Sequence, residues 1–216
     1  MNELLHDYDF DLQVANAAST HSIQIQMIPE GSSVLDVGCH SGILGEYLRR
    51  KKQCSVVGID TDEAALSDAS TRLDKAFAAN IETKGWSSIV REQAGKTFDI
   101  IVFGDVLEHT RDPLAILAEA RRLLKPEGRV IVSIPNVAHW RIRLALLAGR
   151  FTYTESGILD RTHLRFFTEA SLHELVRAAG YQVVDQDVAG YHLPHWLIRM
   201  FRNLLGVQFV LACKAT

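Results

Sequence analysis

Residues 34–42, VLDVGCHSG, constrain the fold more than any other stretch of the chain. Apolar Val34, Leu35 and Val37 surround one acid, Asp36, and run into a turn bearing Gly38 and Gly42. An apolar helical stripe follows at once: Ile43, Leu44, Tyr47 and Leu48. A short buried strand, a glycine turn and a helix start form the first βα unit of a doubly wound sheet. In such sheets ligands bind beyond the carboxyl ends of the strands. Glycine lets backbone N–H groups approach a ligand because no Cβ intervenes.

The alternation continues along the chain. Apolar runs predict strands at 33–37, 55–60, 76–81, 98–103, 129–134, 183–188 and 207–213. Helices are expected at about 42–51, from Asp62 onward, over 85–92, from Asp112-Pro113 to Leu124, at about 138–148, from Thr168 to Gly180, and over 192–205. Residues 1–30 form a lead-in with one helix covering an edge or mouth, and 31–216 form a single domain. The strand–helix alternation breaks at 137–167, which reads as an insertion or lid. Within it, Trp140, Leu144, Leu147 and Phe151 read as the buried face of a helix.

Composition narrows the class. With 216 residues, 47% hydrophobic and 23% charged, the chain can build one good core. A net charge of -3 argues against a general nucleic-acid binder. Three scattered cysteines, Cys39, Cys54 and Cys213, suit reduced thiols in a cytoplasmic protein. No stretch reaches the roughly 18 apolar residues of a membrane span. Trp196, Leu197, Met200, Phe201 and Leu204, with Arg199 and Arg202, form a basic amphipathic stripe. It could lie on an anionic membrane, but packing against the sheet or a dimer contact is the expectation; the chain is read as a monomer or homodimer.

Two cofactor readings compete for the glycine loop. The nicotinamide fingerprint GxGxxG, started at Gly38, meets His40 and Ile43 where glycines belong. The acid-x-G-x-G-x-G loop of class I S-adenosylmethionine-dependent methyltransferases is matched by Asp36, Gly38 and Gly42, with His40 at the middle glycine. The later segments 98–109 (FDIIVFGDVLEH), 124–128 (LKPEG) and 130–136 (VIVSIPN) also resemble that family, so the likeness spans roughly 30–136. The stretches SIPNVAHWRIRLALLAGRF and LDRTHLRFFT resemble a bacterial group linked to glycan or lipopolysaccharide synthesis, and more distantly MetW-type proteins.

The resemblance implies a three-layer, seven-stranded, mostly parallel Rossmann-like sheet with its antiparallel last strand between strands five and six. It implies S-adenosylmethionine as cofactor, with S-adenosylhomocysteine as product. Asp36, Gly38, Cys39, His40 and Gly42 would meet its methionine end, and Asp60 and Thr61 the ribose. Asn80 and Ile81 would meet the adenine, with Asn80 in place of the usual acid. Gly104 and Asp105 would face the amino group or sulfonium. His40 departs from the pattern and calls for a backbone conformation uncommon outside glycine.

The sulfonium is an activated donor, so the protein must mainly align an acceptor and remove a proton. The expected reaction is methylation, at oxygen, of a small or glycan-type acceptor. His163 and His109 are the candidate bases, and Asn136, His139, Arg161 and Arg165 the candidate acceptor contacts. No convincing ligand set surrounds the histidines, so no metal is expected. The runner-up is a non-catalytic S-adenosylmethionine-binding partner subunit of MetW type; a nicotinamide oxidoreductase ranks below it.

Overall fold

The computed structural model describes residue 16 and residues 18–216. Seven strands form one sheet: β1 (Ser33–Val37), β2 (Ser55–Asp60), β3 (Lys75–Ala78), β4 (Phe98–Gly104), β5 (Leu124–Pro135), β6 (Tyr181–Ala189) and β7 (Gln208–Ala215). Their spatial order is β3-β2-β1-β4-β5-β7-β6. The pairs among β1 to β5 are parallel, and β7 runs antiparallel to both β5 and β6. The expected fold class and the insertion of the last strand are both present.

The central strands are near-continuous apolar runs because helices cover both faces. All five residues of β1 are buried. One core lies under α4 (Trp86–Ala94), α5 (Pro113–Ala120) and α7 (Glu169–Ala178), and includes Leu35, Phe98, Phe103, Leu117, Leu172 and Phe209. The other lies under α1 (Thr20–Met27), α2 (Ile43–Lys52) and α3 (Glu63–Arg72), and includes Ile23, Val34, Leu48, Ile100 and Ile131. Asp112 caps α5, with Pro113 at its start, and Asp62 caps α3 through Ala64 and Ala65 N–H.

The lead-in helix expected within 1–30 is α1, laid against β5, β6 and β7. The acidic residues Glu3, Asp7, Asp9 and Asp11 lie outside the described residues. Polar Gln24 of α1 is buried and donates to Ser133 Oγ of β5 at 2.9 Å, so its burial is compensated.

Four local expectations are corrected. The third strand stops at Ala78, because residues 79–83 turn, closed by Thr83 N–H to Asn80 O. The helix read over 192–205 is two pieces, α8 (His195–Met200) and α9 (Arg202–Leu205), broken at Phe201. Only Ile198 of α8 is buried, while Trp196 and Met200 are each 64% exposed, so this stripe does not pack on the sheet as expected. Likewise α6 (Trp140–Leu147) has no buried residue, and Leu147 is 84% exposed. Among the described residues, no helix is long and apolar enough to cross a membrane.

Candidate active site

The carboxyl ends of β1, β2 and β4 frame an open cleft of about 400 Å³. Its walls include Gly38, His40, Asp60, Thr61, Asn80, Ile81, Asp105 and His109. Eight residues named from the sequence therefore converge on one cavity, although they come from the four separate turns that follow β1, β2, β3 and β4.

The first turn is built for close approach. Gly38 has φ +72°, and a Cβ there would stand 2.6 Å from Val106 Cγ2. Any side chain would both strain the backbone and strike the β4 turn. His40 follows at φ 46°, left-handed for a non-glycine residue, and its ring is exposed. Its N–H donates to Asp60 Oδ2 at 2.8 Å. The turn thus accommodates His40 by locking it to the acid at the end of β2. The other oxygen of Asp60 accepts from Thr61 N–H at 2.7 Å and Asp62 N–H at 3.0 Å. Asp60 organises both loops and lines the cleft.

Asp36 sits beneath this loop, 4% exposed. Burial, with the Asp60 charge adding to it, pushes its carboxyl up to about 7. On the far wall, Asn80 Oδ1 accepts from Glu82 N–H at 2.8 Å, an Asx turn that occupies part of its acceptor capacity. Glu82 also lines the cleft and accepts from Arg111 N–H at 2.8 Å. It was not read as a site residue; an acid two positions beyond Asn80 was the available signal.

Four residues assigned to the cofactor do not line the cleft: the buried Asp36, and Cys39, Gly42 and Gly104. Cys39 turns its side chain against Gly58, where an added Cβ would lie 2.6 Å from its sulfur. Gly42 is a glycine for packing: a Cβ there would meet the Ala69 backbone of α3 at 3.1 Å. Gly104 makes room for Gln24 of α1, whose Nε2 would stand 3.0 Å from a Cβ.

The turn after β4 brings Asp105 and His109 to the wall of the cleft and buries Glu108 beside them. Asp105 adopts φ 55°, and its N–H donates to Ser133 Oγ at 3.2 Å. The residue as a whole is exposed, but its carboxyl, set against Glu108, is pushed up to about 6 by desolvation. Asp105 also lines a second cavity of about 390 Å³ with Thr20, Tyr191 and Gln208, and so stands where the two cavities meet. Glu108 follows, 1% exposed, and burial with the neighbouring Asp105 pushes it up to about 8.

Residues 160–167 are pinned onto this turn. The Glu108 carbonyl accepts Leu164 N–H at 2.8 Å and Arg165 N–H at 3.0 Å. His163 is thereby held against His109, with ring centroids 4.8 Å apart. His163 is 8% exposed and does not line the cleft, and burial lowers its imidazole below the usual range. This placement removes it as the direct base; His109 is the histidine that faces the cavity. The fold also brings together a group that the sequence reading did not single out: Glu108, His109 and His163 offer atoms all within 4.8 Å of one another. Sequence spacing concealed this, because His163 arrives from a segment with no metal motif.

The candidate acceptor contacts are mostly engaged elsewhere. Asn136 is fully buried, donating to Gly206 O at 2.8 Å and accepting from Ala138 N–H at 2.9 Å. His139 is the N-cap of α6 and accepts from Arg141 N–H. Arg161 pairs with Glu155 at 2.5 Å, and Arg165 donates to Arg111 O at 2.6 Å. None of the four lines the two cavities described.

A sheet of this order with an acid-and-glycine cleft at the ends of β1, β2 and β4 defines a Rossmann-like methyltransferase fold. The family model described as a methyltransferase domain matches residues 11–186. The chain belongs to that family and is an S-adenosylmethionine-dependent methyltransferase, which removes the nicotinamide reading. A ubiquinone biosynthesis O-methyltransferase from Neisseria meningitidis is 31% identical over 187 residues, covering 85% of this chain and 77% of that one. The protein of the same name from Cereibacter sphaeroides is 29% identical over 185 residues, covering 85% and 73%. Among solved structures, magnesium protoporphyrin IX methyltransferase from Synechocystis with bound SAH has the same fold, with TM-score 0.61 and 17% identity over 98% of this chain and 84% of that one. A SAM-dependent methyltransferase from Archaeoglobus fulgidus matches with TM-score 0.63 and 15% identity, covering 94% and 93%.

Proposed function

We propose that the protein transfers the methyl group of S-adenosylmethionine to a hydroxyl oxygen of a small or glycan-type acceptor. The acceptor enters through the cavity bounded by Thr20, Tyr191 and Gln208, and Asp105 takes its proton. The observation that carries this reading is the position of Asp105 between the two cavities. Its raised carboxyl, about 6, suits proton transfer near neutral pH. Its left-handed backbone is the kind of strain that gathers at functional sites. The relatives named as O-methyltransferases support oxygen as the acceptor atom.

The test uses methyl-labelled S-adenosylmethionine with a panel of hydroxylated small molecules, nucleotide sugars and glycans. Label is expected in base-stable ethers, and Asp105→Asn is expected to lower kcat by roughly 10²–10⁴-fold while calorimetric cofactor affinity holds. Transfer only to amines or thiols overturns the oxygen assignment. Cofactor binding without turnover on any acceptor favours the non-catalytic partner reading.

A further inference from the structure

We propose that Glu108, His109 and His163 bind a first-row divalent metal ion beside the cofactor cleft. Their three ligand atoms already lie within 4.8 Å of one another. Two imidazoles and one carboxylate, with further positions open, suit ions such as Zn²⁺ or Mn²⁺ better than an all-oxygen site suits them.

Glu108 supplies the second, independent observation. Its side chain is 1% exposed, no N–H or hydroxyl donates to either carboxylate oxygen, and the side chain in contact with it is another acid, Asp105. Two acids buried against each other cannot both stay ionised unaided, so the site needs a cation or a proton. The imidazoles are arranged to supply the rest of a cation site. His163 Nδ1 lies 3.1 Å from Ile158 O, which can only accept, so the proton is on Nδ1 and Nε2 keeps its lone pair. His109 Nδ1 lies 3.1 Å from Thr162 Oγ1 and 3.3 Å from Thr162 O. The Thr162 hydroxyl donates to Asp160 Oδ1 at 2.6 Å, so it accepts from His109 Nδ1. Both rings therefore leave Nε2 unprotonated, with the supporting hydrogen bonds that metal-binding histidines use to fix their tautomer.

The chemical role of the ion rests on the hydroxyl-acceptor reading above. The ion acts as a Lewis acid on the acceptor oxygen and lowers its pKa. Asp105 receives the hydroxyl proton. An oxygen lone pair forms the new O–CH₃ bond as the S–CH₃ bond breaks. The sulfur keeps that electron pair and becomes the neutral thioether of S-adenosylhomocysteine.

The test uses the untagged full chain, stripped with a chelator and titrated with Co²⁺. Visible d–d absorption reports the ion's surroundings, and Zn²⁺ competes it away. One equivalent is expected to bind, and Glu108→Gln and His163→Ala are each expected to weaken it by at least about tenfold. Thr162→Val, which leaves all three ligands in place, should weaken it less. Circular dichroism and cofactor calorimetry establish that each variant is folded. Absence of saturable binding in the stripped wild type overturns the proposal. Undiminished binding in folded Glu108→Gln and His163→Ala overturns it equally, since the ion then sits elsewhere. A carboxylic-acid infrared band lost only in Glu108→Gln, persisting when the ion is added, identifies a proton in the ion's place and also overturns it. Ion binding without methylation of any hydroxyl supports the site and refutes the hydroxyl-acceptor reading.

Discussion

Gly38 concentrates the demands of the cofactor loop in one residue. Its φ of +72° and the 2.6 Å approach to Val106 forbid a side chain for independent reasons. Gly38→Ala is expected to cost roughly 1–2 kcal/mol in backbone strain alone. It should also weaken cofactor binding; thermal unfolding and calorimetry read the two effects separately. Asp36 gives a pH signature. Its folded carboxyl titrates near 7 against a usual 3.8, so between those values the folded state holds more protons than the unfolded one. Stability of the cofactor-free protein therefore falls as pH rises from about 4 to about 7 through this group, by a few kcal/mol as an order of magnitude. Asp36→Asn is expected to remove that part of the decline, measured by denaturant unfolding across the range. The cleft was legible where chemistry and backbone coincide, at Gly38, Asp60 and Asp105, which line it. It was not legible at Gly42 and Gly104, whose missing side chains serve helix packing, a requirement set by residues distant in sequence.

At the scale of elements, caps and strands follow from local rules and were readable. Thr168 accepts from Ser171 N–H and closes a capping box on α7. Thr168→Ala is expected to cost about 1 kcal/mol, measured by chemical denaturation. Exposed faces were not readable, because an apolar stripe states only that a helix could bury something. Leu147 of α6 and Trp196 of α8 remain 84% and 64% exposed. Leu147→Ser and Trp196→Ser are accordingly expected to change stability by no more than about 0.5 kcal/mol, whereas Ile198→Ala, at a fully buried position, should cost about 2–5 kcal/mol. Parallel unfolding curves for the three variants check the contrast.

Across the whole molecule, the sheet order followed from the methyltransferase resemblance, whereas the meeting of residues 105–109 with 160–165 did not. That contact spans more than fifty residues, and no periodicity encodes it; it depends on two N–H groups finding the Glu108 carbonyl. Strand β7 has a comparable reach, pairing with β5 from Arg129 to Pro135 and with β6 along its other side. Removing 207–216 is expected to leave two unpaired strand edges and shift the protein to the insoluble fraction, measured by centrifugation after expression.

The place of β7 also sets a timetable. During synthesis β6 leaves the ribosome before the strand that must separate it from β5. The growing chain can assemble β1 to β5 as each strand appears, but β6 has no partner yet and must wait, or else pair wrongly with the exposed edge of β5. Completion of the sheet is therefore a late event, and chaperone contact should be most prolonged in the interval between the emergence of residue 189 and that of residue 208.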